Sequence, residues 1–409
     1  MGYRFTHDPK GQYVDGHERK DVVEYRSQFI FEWVKNIEPD IYCFTRHGDE
    51  EHDPERDPTK KHLVVWYHDE STFYAHDRCT KRWVKISENP VPYAKGEGAS
   101  LMVADFVSAK YGYLQSLDGT QSARRLFRAG KNRDGYFTNA EIIEQVRTAM
   151  EIVKECYPNE DHIFVYDNAT THQKRRSAAL SASHMVKNPH ATWGPETNQL
   201  DDDGKPITNT RGKYIKAKIR MEDGTFDGKP HSFYYPDDHP EYPGWFKGMQ
   251  KICEERGFTK KLNGQCKDFK CHEGATECCY RRILHNQPDF INVKSHLEEI
   301  CEAEGFRVIF LPKFHCELNP IEQCWGYAKR LYRMCPPSSR EDDLERNVIS
   351  SLNAIPLSSI RRFSNRAIRF MDAYHKGLNG KQAIWASRRY RSHRILPDSL
   401  MDDMELAGI

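Results

Sequence analysis

The sequence predicts an α/β protein: a mixed sheet flanked by helices, a large cysteine-containing insertion before the last core strand, and a helical, basic C-terminal segment. Three observations carry that reading. Two apolar runs of buried-strand character, Leu63-Val64-Val65-Trp66-Tyr67 and Ile163-Phe164-Val165-Tyr166, are each followed by an aspartate, Asp69 and Asp167. An amphipathic helix over Asn139 to Cys156 feeds the second run. It is marked by a capping box of Thr138 and Glu141 and carries Ile142, Val146, Ala149 and Val153 on one face. Finally, the texture changes between Lys187 and Gln287 to polar, proline-punctuated chain.

In order along the chain, residues 1–60 form an N-terminal extension with one helix near Val22 to Ile37 in charged, irregular sequence. Strands follow near Leu63 to His68, Trp83 to Ile86 and Ser100 to Leu114, separated by Gly and Pro signals. Residues 61–186 thus read as the first part of a core in which the two acid-bearing strands run parallel and present both aspartates at their carboxyl ends, the edge where open α/β sheets bind ligands. Residues 187–287 read as the insertion. A structureless loop of that length is uncommon, so it should hold short elements of its own or a metal. The core resumes over 288–335 with a helix near Phe290 to Glu304, a strand Arg307 to Leu311 and a helix opened by Asn319-Pro320-Ile321-Glu322; residues 336–409 form the helical basic segment.

At 409 residues, with 38% hydrophobic and 12% aromatic residues, the chain can bury a large core. Neither a secretory signal nor a membrane-spanning apolar run is visible, which points to an intracellular chain whose twelve cysteines are free thiols or metal ligands rather than disulfides. A net charge of +1 conceals a local excess: Arg361 to Arg394 holds ten Lys or Arg residues against the single acid Asp372.

Asp69, Asp167 and Glu322, carried on separate elements to one sheet edge, are the type of donor set that two hard divalent cations and a phosphate substrate require. Each also has a structural role open to it. The aspartates can close turns after strands, and Asn319, Pro320 and Glu322 match a capping box by themselves. On the last helix, Ile321, Trp325, Ala328 and Tyr332 form a buried stripe, with Glu322, Lys329 and Arg333 on a flanking face where an acid could grip a metal and bases the phosphates beyond it.

Three ordered blocks, His68-Asp69-Glu70-Ser71-Thr72-Phe73, Val165-Tyr166-Asp167-Asn168-Ala169-Thr170-Thr171-His172 and the run from Leu311 through His315, Asn319 and Glu322 to Trp325, resemble the catalytic blocks of the DDE transposases of the Tc-mariner superfamily, most nearly its fungal branch. The resemblance implies a ribonuclease H-like fold and DNA strand cleavage and transfer with two Mg²⁺ or Mn²⁺ ions. The catalytic, metal-holding acids carry over to Asp69, which would bridge both ions, Asp167 and Glu322. It also implies DNA partners (transposon ends and target), a homo-oligomeric active complex and work in the nucleus. Glu70, Asn168, His172 and His315 could support the acids or substrate. The chain departs from the family pattern in the 154 residues between Asp167 and Glu322 and in the absence of a helix-turn-helix pair from the roughly sixty residues before the first strand.

Cys266, Cys271, Cys278 and Cys279, with His272 among them, form a candidate structural zinc site within the insertion, which Cys253 or His285 could complete; buried free thiols are the alternative. The basic segment, with Arg388 and Arg389 near its end, and Lys329 and Arg333 of the preceding helix are candidate nucleic-acid contacts. The alternative function is a catalytically silent, transposon-derived DNA- or protein-binding module, and a ribonuclease of the same fold is a third reading.

Overall fold

The computed structural model describes residues 16–52, 56–77, 95–130, 133–201, 207–210 and 213–409. It divides into two compact units, one built from the chain up to His172 and again from Leu297 onward, the other comprising Gln173–His296. The expected strand at Trp83 to Ile86 lies outside the described residues.

The first unit is the α/β core the sequence predicted. Its sheet contains β1 (Leu63–Tyr74), β2 (Ser100–Ser108), β3 (Gly112–Tyr113), β4 (Arg125–Phe127), β5 (Asp161–Tyr166) and β6 (Arg307–Phe310). The spatial order is β6-β5-β1-β2-β3, with β4 paired to β2. β1 runs antiparallel to β2 and parallel to β5, and β5 runs parallel to β6. This arrangement, a meander whose first strand then receives two parallel neighbours, is that of the ribonuclease H-like folds.

Side-chain alternation sorts the strands into two cores. Val65, Tyr67, Val103, Val107, Ile163 and Val165 face one side; Val64, Trp66, Phe106, Phe164 and Tyr166 face the other. The second side is covered by α2 (Asn139–Cys156), whose capping box of Thr138 and Glu141 is formed as expected, and by α3 (His296–Ala303). The first side is covered by α1 (Lys20–Asn36), α4 (Pro320–Tyr332), α5 (Glu341–Asn353), α6 (Leu357–His375), α7 (Gly380–Arg389) and α8 (Leu400–Leu406). No helix among the described residues is long and apolar enough to cross a membrane.

Two expected elements are broken. The strand placed over Ser100 to Leu114 turns back after Ser108, where the Ser108 hydroxyl accepts from the Tyr111 N–H and Gly112 takes φ +79°, so β3 folds antiparallel onto β2. The helix placed over Phe290 to Glu304 is two: Pro288–Ile291 is closed by the Asn292 N–H on the Pro288 carbonyl, and α3 starts afresh at His296.

The second unit is longer at both ends than the 187–287 insertion read from sequence. It has its own core of Phe233, Phe246, Ile252, Tyr280 and Phe290, small hairpins at Glu196–Asn198 with Lys216–Lys218 and Gly224–Phe226 with Lys229–His231, and short helices at Gly248–Glu255 and Tyr280–His285. Within it Arg256 and Asp289 form a buried bidentate pair, 2.9 and 2.6 Å.

Candidate active site

Strand register brings the two aspartates together. Tyr67 pairs with Val165 in the parallel ladder, so Asp69 and Asp167 each lie two positions beyond the same rung. Both share the phase of the residues facing α4, so each side chain leaves the sheet on the side where that helix packs. Leu311 continues β6 through its N–H on the Tyr166 carbonyl, and the chain then turns into α4, whose first turn holds Glu322. Asp69, Asp167 and Glu322 accordingly line one cavity of about 250 Å³, together with Asn168, Ala169, Asn319 and the segment from Leu311 to Cys316.

The capping-box reading of Glu322 is not what the structure shows. Asn319 makes no side-chain cap bond; its Nδ2 instead donates to the buried His68 carbonyl at 3.1 Å, tying the start of α4 to β1. The Glu322 carboxylate makes no hydrogen bond or ion pair among the described residues, and the residue stands exposed at the cavity rim.

The acids are held from behind. Trp325 Nε1 donates to Asp69 Oδ2 at 2.8 Å. Asp167 Oδ1 faces His172 Nδ1 at 2.5 Å and accepts from the Ala169 N–H at 3.1 Å, while His172 Nε2 faces Glu70 Oε1 at 3.2 Å. With an acceptor on each ring nitrogen, His172 is an imidazolium. Burial pushes its pKa down, but the hydrogen bonds and charges of Asp167 and Glu70 prevail and raise it to about 10. Asp69 Oδ1 and Asp167 Oδ2 accept no hydrogen bond among the described residues, leaving them to the cavity.

The electrostatics are those of crowded carboxylates. Burial, then the charges of Glu322, Glu70 and Asp167, push the Asp69 carboxyl well above the usual range. Burial and Asp167 also raise Glu322. Asp167 goes the other way: burial pushes it up, but His172 and the Ala169 N–H more than offset that. Like charges that cannot all ionise unaided are relieved by cations, and an all-oxygen donor set with free oxygens suits hard ones.

A fourth acid, unnoticed in the sequence, lies across the ladder. Asp105 is the cross-strand partner of Asp69, fully buried and neutralised by Arg124 Nε at 2.5 Å. His315 belongs to another buried network in which Arg26 lies 3.1 Å from its Nε2 and Tyr374 and His17 hydrogen-bond Glu317, so a cation is already supplied there. Beside it Phe314 holds a left-handed φ of +65°, with its ring half-exposed against Gly16.

The candidate nucleic-acid residues separate. Arg333 is paired with Asp77 at 3.0 Å, and Lys329 is partly buried with its ammonium over the Phe73 ring. Arg388 lines a second cavity of about 730 Å³ with Arg46, Arg362, Arg366, Arg369, Arg391 and Arg394, whereas Arg389 is exposed outside it. Only Glu51 brings a negative charge to that lining. Burial, with like charges nearby, lowers the pKa of both Arg366 and Arg369, the latter to about 10. The sequence signalled the C-terminal arginines as a run; Arg46, from the N-terminal extension, gave no signal, because only folding adds it to them.

No family model matches the chain and no curated protein does. Among solved structures, the chain resembles a Mos1 transposase paired-end complex with left transposon end, with 8% identity, TM-score 0.44 and coverage of 93% of this chain and 68% of that one. It also resembles the Mos1 mariner paired-end complex with Mn, with 8% identity, TM-score 0.41 and coverage of 91% and 67%. A pre-cleavage Mos1 transpososome matches with 9% identity, TM-score 0.40 and coverage of 92% and 67%.

Proposed function

We propose that the first unit is a DDE-type nuclease and strand-transferase acting on DNA. The observation that carries this reading is the gathering of Asp69, Asp167 and Glu322 around one cavity although 154 residues separate the last two in sequence. A chain freed of catalysis gains nothing from unpaired carboxylates held against one another, since their mutual repulsion costs stability.

Asp69, Asp167 and Glu322 would hold two Mg²⁺ or Mn²⁺ ions, and these, when bound, would supply Lewis-acid activation of the attacking oxygen and stabilisation of the leaving one. Trp325 fixes the orientation of Asp69, and His172 fixes Asp167 with one nitrogen and Glu70 with the other. By spending Oδ1 of Asp167 on His172, the site leaves Oδ2 to face the cavity. The arginine-lined cavity supports DNA as substrate: Arg394 is paired with Glu38, but the lining holds seven arginines against the single acid Glu51, an excess of guanidinium groups complementary to backbone phosphates. Joining two DNA ends would call for a homo-oligomer.

The test is nicking and strand transfer on labelled DNA in Mg²⁺ or Mn²⁺, with Asp69→Asn, Asp167→Asn and Glu322→Gln beside the wild type. Metal-dependent activity, abolished in all three folded variants, is expected. A folded wild type that binds DNA and cleaves nothing would reverse the reading in favour of a silent binding module. Preference for an RNA–DNA hybrid would instead make it a ribonuclease.

A further inference from the structure

From the sulfur geometry we infer that the second unit carries a structural zinc ion bound by Cys266, Cys271, Cys278 and Cys279. The sulfur atoms of all four lie within 4.8 Å of one another, and Cys266 Sγ is 3.5 Å from Cys278 Sγ. Four thiolates around a tetrahedral Zn²⁺ at about 2.3 Å would stand about 3.8 Å apart, so the ligands need only small adjustments.

The backbone is built to present them. The Tyr280 N–H donates to the Asn263 carbonyl and the Arg281 N–H to the Gly264 carbonyl, both at 3.1 Å, which clasps the two ends of the loop just outside Cys266 and Cys279. Cys271 follows the single helical turn Lys267–Phe269, and Cys278 and Cys279 lead into the helix Tyr280–His285. The other candidate ligands do not join them: Cys253 is in the hydrophobic core with its thiol toward the Tyr280 carbonyl, and His285 is outside the four-sulfur cluster.

A second observation says why a metal belongs there. From Gly257 to Cys278 no described side chain is fully buried: Phe258 and Leu262 pack, partly buried, against the core of the unit, the rest adds nothing to it, and one helical turn is the stretch's regular structure. Chain that buries so little apolar surface needs another source of order, and a metal staple is a common one. The charge is also provided for. A four-thiolate zinc centre carries a net charge of −2, and the Arg282 guanidinium already hydrogen-bonds Cys271 while Arg281 sits beside the same small cavity. The role is structural: four protein ligands leave no open position for substrate. This site stands independently of the acidic cavity in the first unit.

The experiment is elemental analysis of the purified full chain, with thiol counting by alkylation and intact mass, for the wild type, Cys271→Ser/Cys278→Ser and the control His272→Ala. One zinc per chain in the wild type and the control, and loss of it in the double variant, is expected. Should the double variant fail to fold, chelator treatment of the wild type decides instead: zinc release should expose four thiols to alkylation and the 257–279 loop to protease. A zinc-free wild type, four sulfurs found as disulfides, or zinc retained by a folded double variant would each overturn the assignment.

Discussion

Trp325 and Asp69, 256 positions apart in sequence, are joined by a 2.8 Å hydrogen bond from the indole N–H to Oδ2. That bond locks the helix carrying Glu322 to the strand carrying Asp69 and fixes which oxygen of Asp69 is left to the cavity. Trp325→Phe keeps the ring and removes the donor. It should lower affinity for Mn²⁺ by about 10–100-fold, the usual cost of losing a group that orients a ligand. Titration calorimetry of the wild type and variant reads this directly; equal affinities would show that the indole serves packing alone.

Asn319 does its work as a tie rather than a cap. In Asn319→Ala the buried His68 carbonyl loses its partner, at a cost of about 1–3 kcal/mol. Asn319 Oδ1 has no partner of its own, which should keep the loss toward the lower end. Urea denaturation measures the cost, and far-UV circular dichroism should be unchanged in the folded baseline because α4 never depended on that side chain for capping.

The Asp105–Arg124 pair predicts a pH-dependent penalty. Burial holds the Asp105 carboxyl above its usual range even with Arg124 opposing it. In Arg124→Met the buried charge stands alone and should cost about 3–5 kcal/mol near neutral pH. Because the folded state takes up this proton more readily than the unfolded chain, the penalty should shrink as pH falls through the raised pKa. Urea midpoints at pH 7.5 and pH 5 test the sign; a penalty that grows on acidification would refute it.

Glu18 predicts the opposite slope. Burial pushes its carboxyl up, but the Arg26 hydrogen bond and the Gly380 N–H pull it down to about 2. Its contribution should be complete above the unfolded value of about 4.3 and disappear as pH falls toward 2. The stability gap between the wild type and Glu18→Gln should therefore close over that window. The side chain is half-exposed, so the gap is expected to be small.

The arginine cavity predicts a salt signature. Replacing Arg388 and Arg391 with Gln together should weaken DNA binding without altering sequence preference and flatten the plot of log affinity against log salt by about two units. Fluorescence anisotropy across a salt series reads both. An unchanged slope would remove this cavity from the DNA path.

Much of the core was legible because local rules and tertiary packing agree. The alternation of Val64, Val65, Trp66 and Tyr67, the capping box of Thr138 and Glu141, and the stripe of Ile321, Trp325, Ala328 and Tyr332 each encode one element and its buried face. Where a local signal had two uses, the sequence left the choice open. Asn319 and Glu322 spell a cap, yet the competition was won by the His68 carbonyl, which is nowhere near them along the chain.

By itself, then, the sequence determined the α/β class and the helices and strands with strong periodicity, and it singled out the three acids that line one cavity and the four cysteines that cluster, because each is marked by its neighbouring residues. Tertiary structure alone decided which groups meet. The parallel register of β1 and β5 levelled Asp69 with Asp167, α4 brought Glu322 and Trp325 to them, and Arg46 joined the C-terminal arginines. Asp105 became a buried partner of Arg124. Such contacts are fixed by strand register and helix packing across hundreds of residues, and no local pattern carries that information.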